Sequence, residues 1–196
     1  MAQRTGIRIV LTGPESTGKT VLATELATHY GAPWVPEFVR TFAEEKGAHI
    51  AFSDHGPIAR GQMALEDAAI AHAPALLFHD TDLISTVVYC LHYFGRAPQW
   101  IEDEARARRA THYLLCDIDL PWVADGVRDR PHQREELLAL FRETLERLEA
   151  PWSPVSGVGT ARLASAIAVV ERVRGDAAAS AHERRAGDDG SSSLGP

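Results

Sequence analysis

"IRIVLTGPESTGKTVL", residues 7–22, decides the fold. The apolar run from Ile7 to Leu11, continued by Thr12, reads as a buried strand. The pattern G-x-x-x-x-G-K-[ST] follows at once, with Gly13, Gly18, Lys19 and Thr20 in the fixed positions. A helical periodicity then runs from Lys19 to Tyr30, with Val21, Leu22, Leu26 and Ala27 on one side. Strand, glycine-rich turn and helix together make a phosphate-binding loop. The two glycines permit backbone angles that a side chain forbids. Successive N–H groups then face one anion, and the helix N-terminus adds partial positive charge. Glu15, Ser16, Thr17 and Val21 complete the stretch expected to wrap the phosphates. Lys19 is expected to reach the β- and γ-phosphates, and Thr20 to ligate Mg²⁺. The chain holds twenty Lys and Arg residues, of which only Lys19 and Lys46 are lysines. A lysine at this place is therefore not filler.

Working outward, strands and helices alternate. Strands are expected at 7–12, 32–37, 75–80, 111–118 and 151–157. Helices are expected at 19–30, 38–47, 53–73 (with Ser53 as N-cap), 82–93, 98–110, 134–148 and 160–173. This order predicts an α/β fold with three layers, helices covering both faces of a five-stranded, mainly parallel sheet. Ligands of such sheets sit at the carboxyl ends of the strands. Those ends carry Gly13, Glu37, Asp80, Asp117 and Asp119, and Ser156 with Gly157.

Length and composition bound the rest. The 196 residues suit one domain, 1–174, followed by a tail, 175–196, poor in large apolar residues and expected to be disordered. A net charge of −7 argues against non-specific nucleic-acid binding, which needs clustered cations. Cys90 and Cys116 read as reduced core residues of a cytoplasmic protein. No apolar run reaches the length of a membrane span, and no signal peptide is expected before Ile7. The nine histidines show no metal-ligand spacing, and His79 reads as a hydrogen-bonded core residue.

Several residues around the loop carry candidate chemistry. Asp80 ends an apolar strand, the position that holds Mg²⁺ in proteins of this loop type. Asp82, two residues on, either binds a sugar diol or caps the next helix, and the two roles can coexist. Glu37 closes a strand with Arg40 three residues later. Its carboxylate suits the proton of an attacking hydroxyl, although a surface Glu–Arg pair is the bland alternative. Arg128, Arg130 and Arg134 lie in "ADGVRDRPHQR", 124–134, which reads either as a lid bringing guanidinium groups to a phosphoryl group or as a solvated charged loop. "EARARRA", 104–110, reads as a wet helix face with Glu–Arg pairs. Trp34 and Trp122 fit either the core or an aromatic wall; Trp152 is expected in the core.

"GPESTGKT", "VPEFVRT", "DTDLISTVVYCLHYFG", "YLLCDIDLPWVADGVRD" and "VSGVGTAR" together resemble the nicotinamide riboside kinase family, the kinase part of NadR-type proteins. The likeness covers roughly residues 6–173. It implies a P-loop kinase fold with an Arg-bearing lid. It also implies ATP-dependent phosphorylation, with Mg²⁺, of the 5′-hydroxyl of nicotinamide riboside. On that reading Lys19, Glu37, Asp80 and Arg128 are catalytic; Arg130, Ser156 and Gly157 join the loop residues on the nucleotide. Glu37, Arg40, Asp82, Tyr89, Asp119 and Trp122 then take the acceptor. Neither a helix-turn-helix segment nor an H-x-G-H signature is present, so a stand-alone kinase is expected. The expected partner is a small nucleoside, without nucleic acid or membrane, and a homo-oligomer stays open.

Two alternatives remain at this stage. One is a kinase for another nucleoside or for a nucleotide, since only the acceptor pocket differs. The other is an ATP-binding regulatory switch without a phosphorylated product. A guanine-reading switch needs an N-K-x-D loop, and the chain contains no asparagine.

Overall fold

The computed structural model describes residues 6–121 and 133–189. Five strands are present: β1 (Ile7–Thr12), β2 (Trp34–Val35), β3 (Leu76–Asp80), β4 (His112–Cys116) and β5 (Trp152–Val155). They form one parallel sheet in the order β2-β3-β1-β4-β5. The helices are α1 (Lys19–Tyr30), α2 (Phe38–Lys46), α3 (His55–Ala71), α4 (Leu83–Phe94), α5 (Gln99–Ala107), α6 (Arg134–Arg147) and α7 (Thr160–Asp189). The three-layer α/β expectation holds.

Strand alternation builds the two layers around the sheet. On β1, Ile9 and Leu11 face α1 and α7, in a cluster with Leu22, Leu26, Phe78, Leu114, Ala166 and Val170. Val10, between them, faces the opposite layer with Ile84, Val87, Ile101, Tyr113, Phe141 and Leu145. The central strands are apolar on both faces, as a doubly covered parallel sheet demands. Cys90 and Cys116 are buried free thiols. No described helix is long and apolar enough to cross a membrane.

Four local expectations are corrected. Val21 is not on the buried side of α1: it is 63 % exposed, and Ala23 takes its place in the core. Ser53 does not cap the third helix; it lies inside a 3-10 turn, Phe52–Asp54, closed by a 2.6 Å bond from Ala51 N–H to the Asp54 carboxylate. His79 is buried as expected, but neither ring nitrogen has a hydrogen-bond partner among the described residues. Burial first, then the charge of Arg8, pushes its pKa down to about 3 and holds it neutral. The last helix does not stop near residue 173 but continues to Asp189, into the expected tail. Its Ala-rich run contains no proline, so helix propensity carries the backbone where apolar content is too low to predict a core.

Candidate active site

The loop after β1 takes the path its glycines allow. Gly13 has φ 129°, and a Cβ there would stand 2.8 Å from the Cys116 carbonyl oxygen. Gly18 has φ 73° and starts α1, accepting from Leu22 N–H at 3.0 Å. Ser16 also sits at positive φ, 54°. The loop is knotted on itself: the Thr17 hydroxyl and the Lys19 ammonium both donate to Pro14 O, at 2.8 and 2.6 Å. Ser16, Thr17, Gly18, Lys19, Thr20 and Val21 line one side of a groove of about 450 Å³. Exposure of Val21 is thus exposure to this groove.

Asp80 and Asp82 face different layers of the molecule. Simple strand alternation would put residues two apart on one face. Thr81, at φ 66°, breaks that alternation. Asp80 therefore reaches α1, where Thr20 Oγ1 donates to its Oδ2 at 2.5 Å. A hydroxyl and a carboxylate so placed are the hard oxygen donors that a divalent cation would take.

Asp82 turns into the opposite layer. Its Oδ1 accepts from Ile84 N–H at 2.9 Å, capping α4, and its Oδ2 accepts from Tyr113 Oη–H at 2.6 Å. Burial drives its pKa up to about 6, against the hydrogen bonds that favour the anion. Behind it on α3 stands Glu66, pushed up to about 8 by burial and by the charge of Asp82. The cap role of Asp82 is therefore in place. The Ser85 backbone adds a third hydrogen bond to the same carboxylate.

A second cavity, of about 370 Å³, opens beside the groove between α2, α3 and α4. Asp82, Thr81, Ser85 and Thr86 line its inner part, and Tyr89, Tyr93 and Phe94 continue along α4. Its α3 wall is His55, Ile58 and Gln62. The Tyr89 hydroxyl donates to Glu15 Oε2 at 3.2 Å, which ties α4 to the loop. Phe94 lies five residues further along the helix, about 7–8 Å from that end.

Glu37 lines both the groove and the cavity. It is 8 % exposed, so the surface-pair reading is set aside; Arg40 stands 3.8 Å from its carboxylate and lines the groove. Glu37 starts α2 without spending its side chain on the cap. The position is fixed by α3. Gln62 Oε1 accepts from Phe38 N–H at 2.9 Å, and Phe38 packs over Gly61, where a Cβ would meet its ring at 2.1 Å.

The remaining expected site residues divide. Asp119 is not brought to the cavity: it pairs with Arg162 and accepts from Gly157 N–H, on the β5 side of the loop. Gly157 is there with it, at φ 100°. Ser156 lines neither space. Arg134 does not present its guanidinium to a phosphoryl group; it donates to Leu120 O and Ser16 O at 3.0 and 3.3 Å. Trp34 packs on the core cluster beside α1. Arg128, Arg130 and Trp122, with the lid they were to form, lie outside the described residues. Sequence reasoning missed Gln62, His55, Tyr93, Phe94 and Arg162. Three of them had a signal: Tyr93 and Phe94 lie near the end of "DTDLISTVVYCLHYFG", and Arg162 ends "VSGVGTAR".

A five-stranded parallel sheet with this loop after its central strand, and a second cavity over the neighbouring strand end, defines a P-loop α/β domain. The chain belongs to the AAA domain family AAA_28, whose model matches residues 8–162. It is 32 % identical over 144 residues to the trifunctional NAD biosynthesis/regulator protein NadR of Escherichia coli K12, covering 70 % of this chain and 35 % of that protein. The NadR of Salmonella typhimurium is 32 % identical over 124 residues, 61 % of this chain and 30 % of the relative. The chain thus spans about a third of the length of these relatives. Among solved structures, NadR in complex with NR superposes with a TM-score of 0.74 at 22 % identity, over 88 % of this chain and 53 % of that one. A thymidylate kinase from Ehrlichia chaffeensis gives 0.60 at 14 % identity, over 84 % and 98 %.

Proposed function

We propose that this chain is an ATP-dependent kinase that phosphorylates the 5′-hydroxyl of nicotinamide riboside, giving nicotinamide mononucleotide. The observation that carries the reading is Glu37, a buried carboxylate shared by the phosphate groove and the neighbouring cavity. A hydroxyl lying between the two spaces meets a base on one side and a γ-phosphorus on the other. The relatives support the choice of acceptor: they are NAD biosynthesis proteins, and a solved NadR holds NR.

The chemistry then follows from placement. Glu37 accepts the acceptor's proton as its oxygen bonds to the γ-phosphorus, and the bond to the β,γ-bridging oxygen breaks, releasing ADP. Lys19 and the loop amides place positive charge against the oxygens that gain it. Thr20 and Asp80 are the residues that would hold Mg²⁺, which neutralises triphosphate charge. Asp82, which lines the cavity, offers its carboxylate to the ribose diol. Alignment of donor and acceptor accounts for about 7–11 kcal/mol of the barrier.

The acceptor's charge favours this reading over a nucleotide kinase. Glu37 and Asp82 line the cavity, and no lysine or arginine does among the described residues. A second phosphate would lie against carboxylates there, whereas a pyridinium ring gains from Tyr89, Tyr93 and Phe94. Two buried free thiols and use of ATP fit a cytoplasmic place.

The test is an acceptor panel with Mg·ATP: nicotinamide riboside, nicotinic acid riboside, thymidine and thymidine monophosphate. ADP release is expected to depend on nicotinamide riboside. ATP turnover unaffected by every acceptor would overturn the kinase reading in favour of a switch. A preference for the monophosphate would move the chain to nucleotide kinases.

A further inference from the structure

We propose that Arg134 and Arg162 are a pair of positioning residues that aim the loop's amides at the triphosphate by holding the carbonyls behind them. The inference rests on the kinase reading, because it presumes that a nucleotide sits in the groove. Neither arginine is itself among the residues that line that groove; both hold lining residues from behind.

In a planar trans peptide, the C=O of one residue and the N–H of the next point in opposite directions. Fixing one therefore aims the other. Arg134 Nη2 donates to Ser16 O at 3.3 Å, which turns the Thr17 N–H the other way. Arg162 Nη2 donates to Thr17 O at 2.9 Å, which does the same for Gly18 N–H. These two consecutive peptides belong to residues lining the groove.

Both guanidiniums are anchored elsewhere, so they act as rigid props. Arg162 Nη2 also donates to Asp117 O at 2.9 Å, and Nη1 to Gly157 O at 3.0 Å and to the Asp119 carboxylate. Arg134 Nη1 donates to Leu120 O at 3.0 Å. The two side chains thus tie the loop to the segment leaving β4, one to each half. Both residues are buried, 8 % and 4 % exposed.

Arg162 has Asp119 as a counterion, and the partners of Arg134 among the described residues are carbonyls. A planar fork that bridges two carbonyls is a geometry that an ammonium cannot reproduce.

The test measures binding of a non-hydrolysable ATP analogue with Mg²⁺, together with separate KM values for ATP and nicotinamide riboside. Arg134→Met is expected to weaken analogue binding tenfold or more and to raise the ATP KM in step, with the acceptor KM within twofold. Arg134→Lys and Arg162→Lys, which keep charge but lose the fork, are expected to weaken binding threefold or more. If Arg134→Met does not fold, the two lysine variants decide the matter. Analogue affinity within twofold of wild type in a folded variant overturns the proposal. So does an acceptor KM that rises as much as that for ATP, the mark of a general structural role. Lys19→Ala separates the two levels. If it abolishes transfer while the arginine variants bind normally, the clamp alone is wrong; if it stays fully active, the kinase reading fails first.

Discussion

The groove and the cavity that meet at Glu37 are built in opposite ways. The groove's loop side comes from one continuous stretch, Ser16 to Val21, which brings backbone amides together with the Lys19 and Thr20 side chains. The cavity is built from side chains of α2, α3 and α4 and the turn at Thr81, spread from residue 37 to residue 94. A backbone site needs a fixed spacing of glycines, and that spacing is visible in any sequence that has it. A side-chain site can be assembled from any positions the fold brings together. The donor half is therefore shared by a wide class of proteins, and the acceptor half makes one member differ from another.

Substitutions on the two sides should fail differently. On the donor side, Lys19→Ala is expected to abolish turnover with every acceptor, a fall of about 10³-fold or more, while the melting curve stays cooperative. An active Lys19→Ala enzyme would break the comparison at its stronger end. At the border, Glu37→Gln should lower kcat by about 10²–10⁴-fold with ATP affinity nearly unchanged. A loss below threefold would move the base role to Asp80 or Asp82.

On the acceptor side, Asp82→Asn should raise the KM for nicotinamide riboside by about tenfold, the size of one charged hydrogen bond. It should also cost about 1 kcal/mol of stability through the weakened cap and the Tyr113 contact. Unchanged KM with reduced stability would leave Asp82 as a cap alone.

The smallest effect is on stability and pH. The Glu66 carboxyl is raised from 4.5 to about 8 in the fold. Ionisation is thus easier in the unfolded chain, and stability is lost as pH rises from the unfolded value through the folded one. Glu66→Gln removes that loss. The variant should melt about 4 °C or more above wild type at pH 8 and close to it at pH 5. Equal melting differences at both pH values would contradict the buried, protonated Glu66.

The sequence exposed the fold because strand and helix periodicities alternate cleanly around one unmistakable loop. Each of the five strands lies within its expected stretch, although β2 is only Trp34–Val35 and Glu37 starts α2 instead of closing the strand, and α1 begins and ends at the expected residues. Helix existence was legible at α7 and its end was not: apolar content predicts packing, whereas an alanine-rich helix can continue without a core beneath it. Within the site, strand ends made Glu37, Asp80 and Asp82 visible, because parallel sheets place ligands there. Asp119 sits at such an end too, but its partner Arg162 comes from 43 residues further along the chain. No local pattern records that pairing. Gln62 and His55 were hidden for the same reason, being helix residues whose neighbours are set by packing.

The central claim is that a phosphoryl group crosses from groove to cavity at Glu37 onto a primary alcohol. Phosphorus NMR of the product formed from Mg·ATP and nicotinamide riboside tests it most directly. The account predicts a new phosphomonoester coupled to the two 5′-methylene protons, formed in equal amount with ADP. ADP with inorganic phosphate alone, or an ester on a ring hydroxyl, would contradict it.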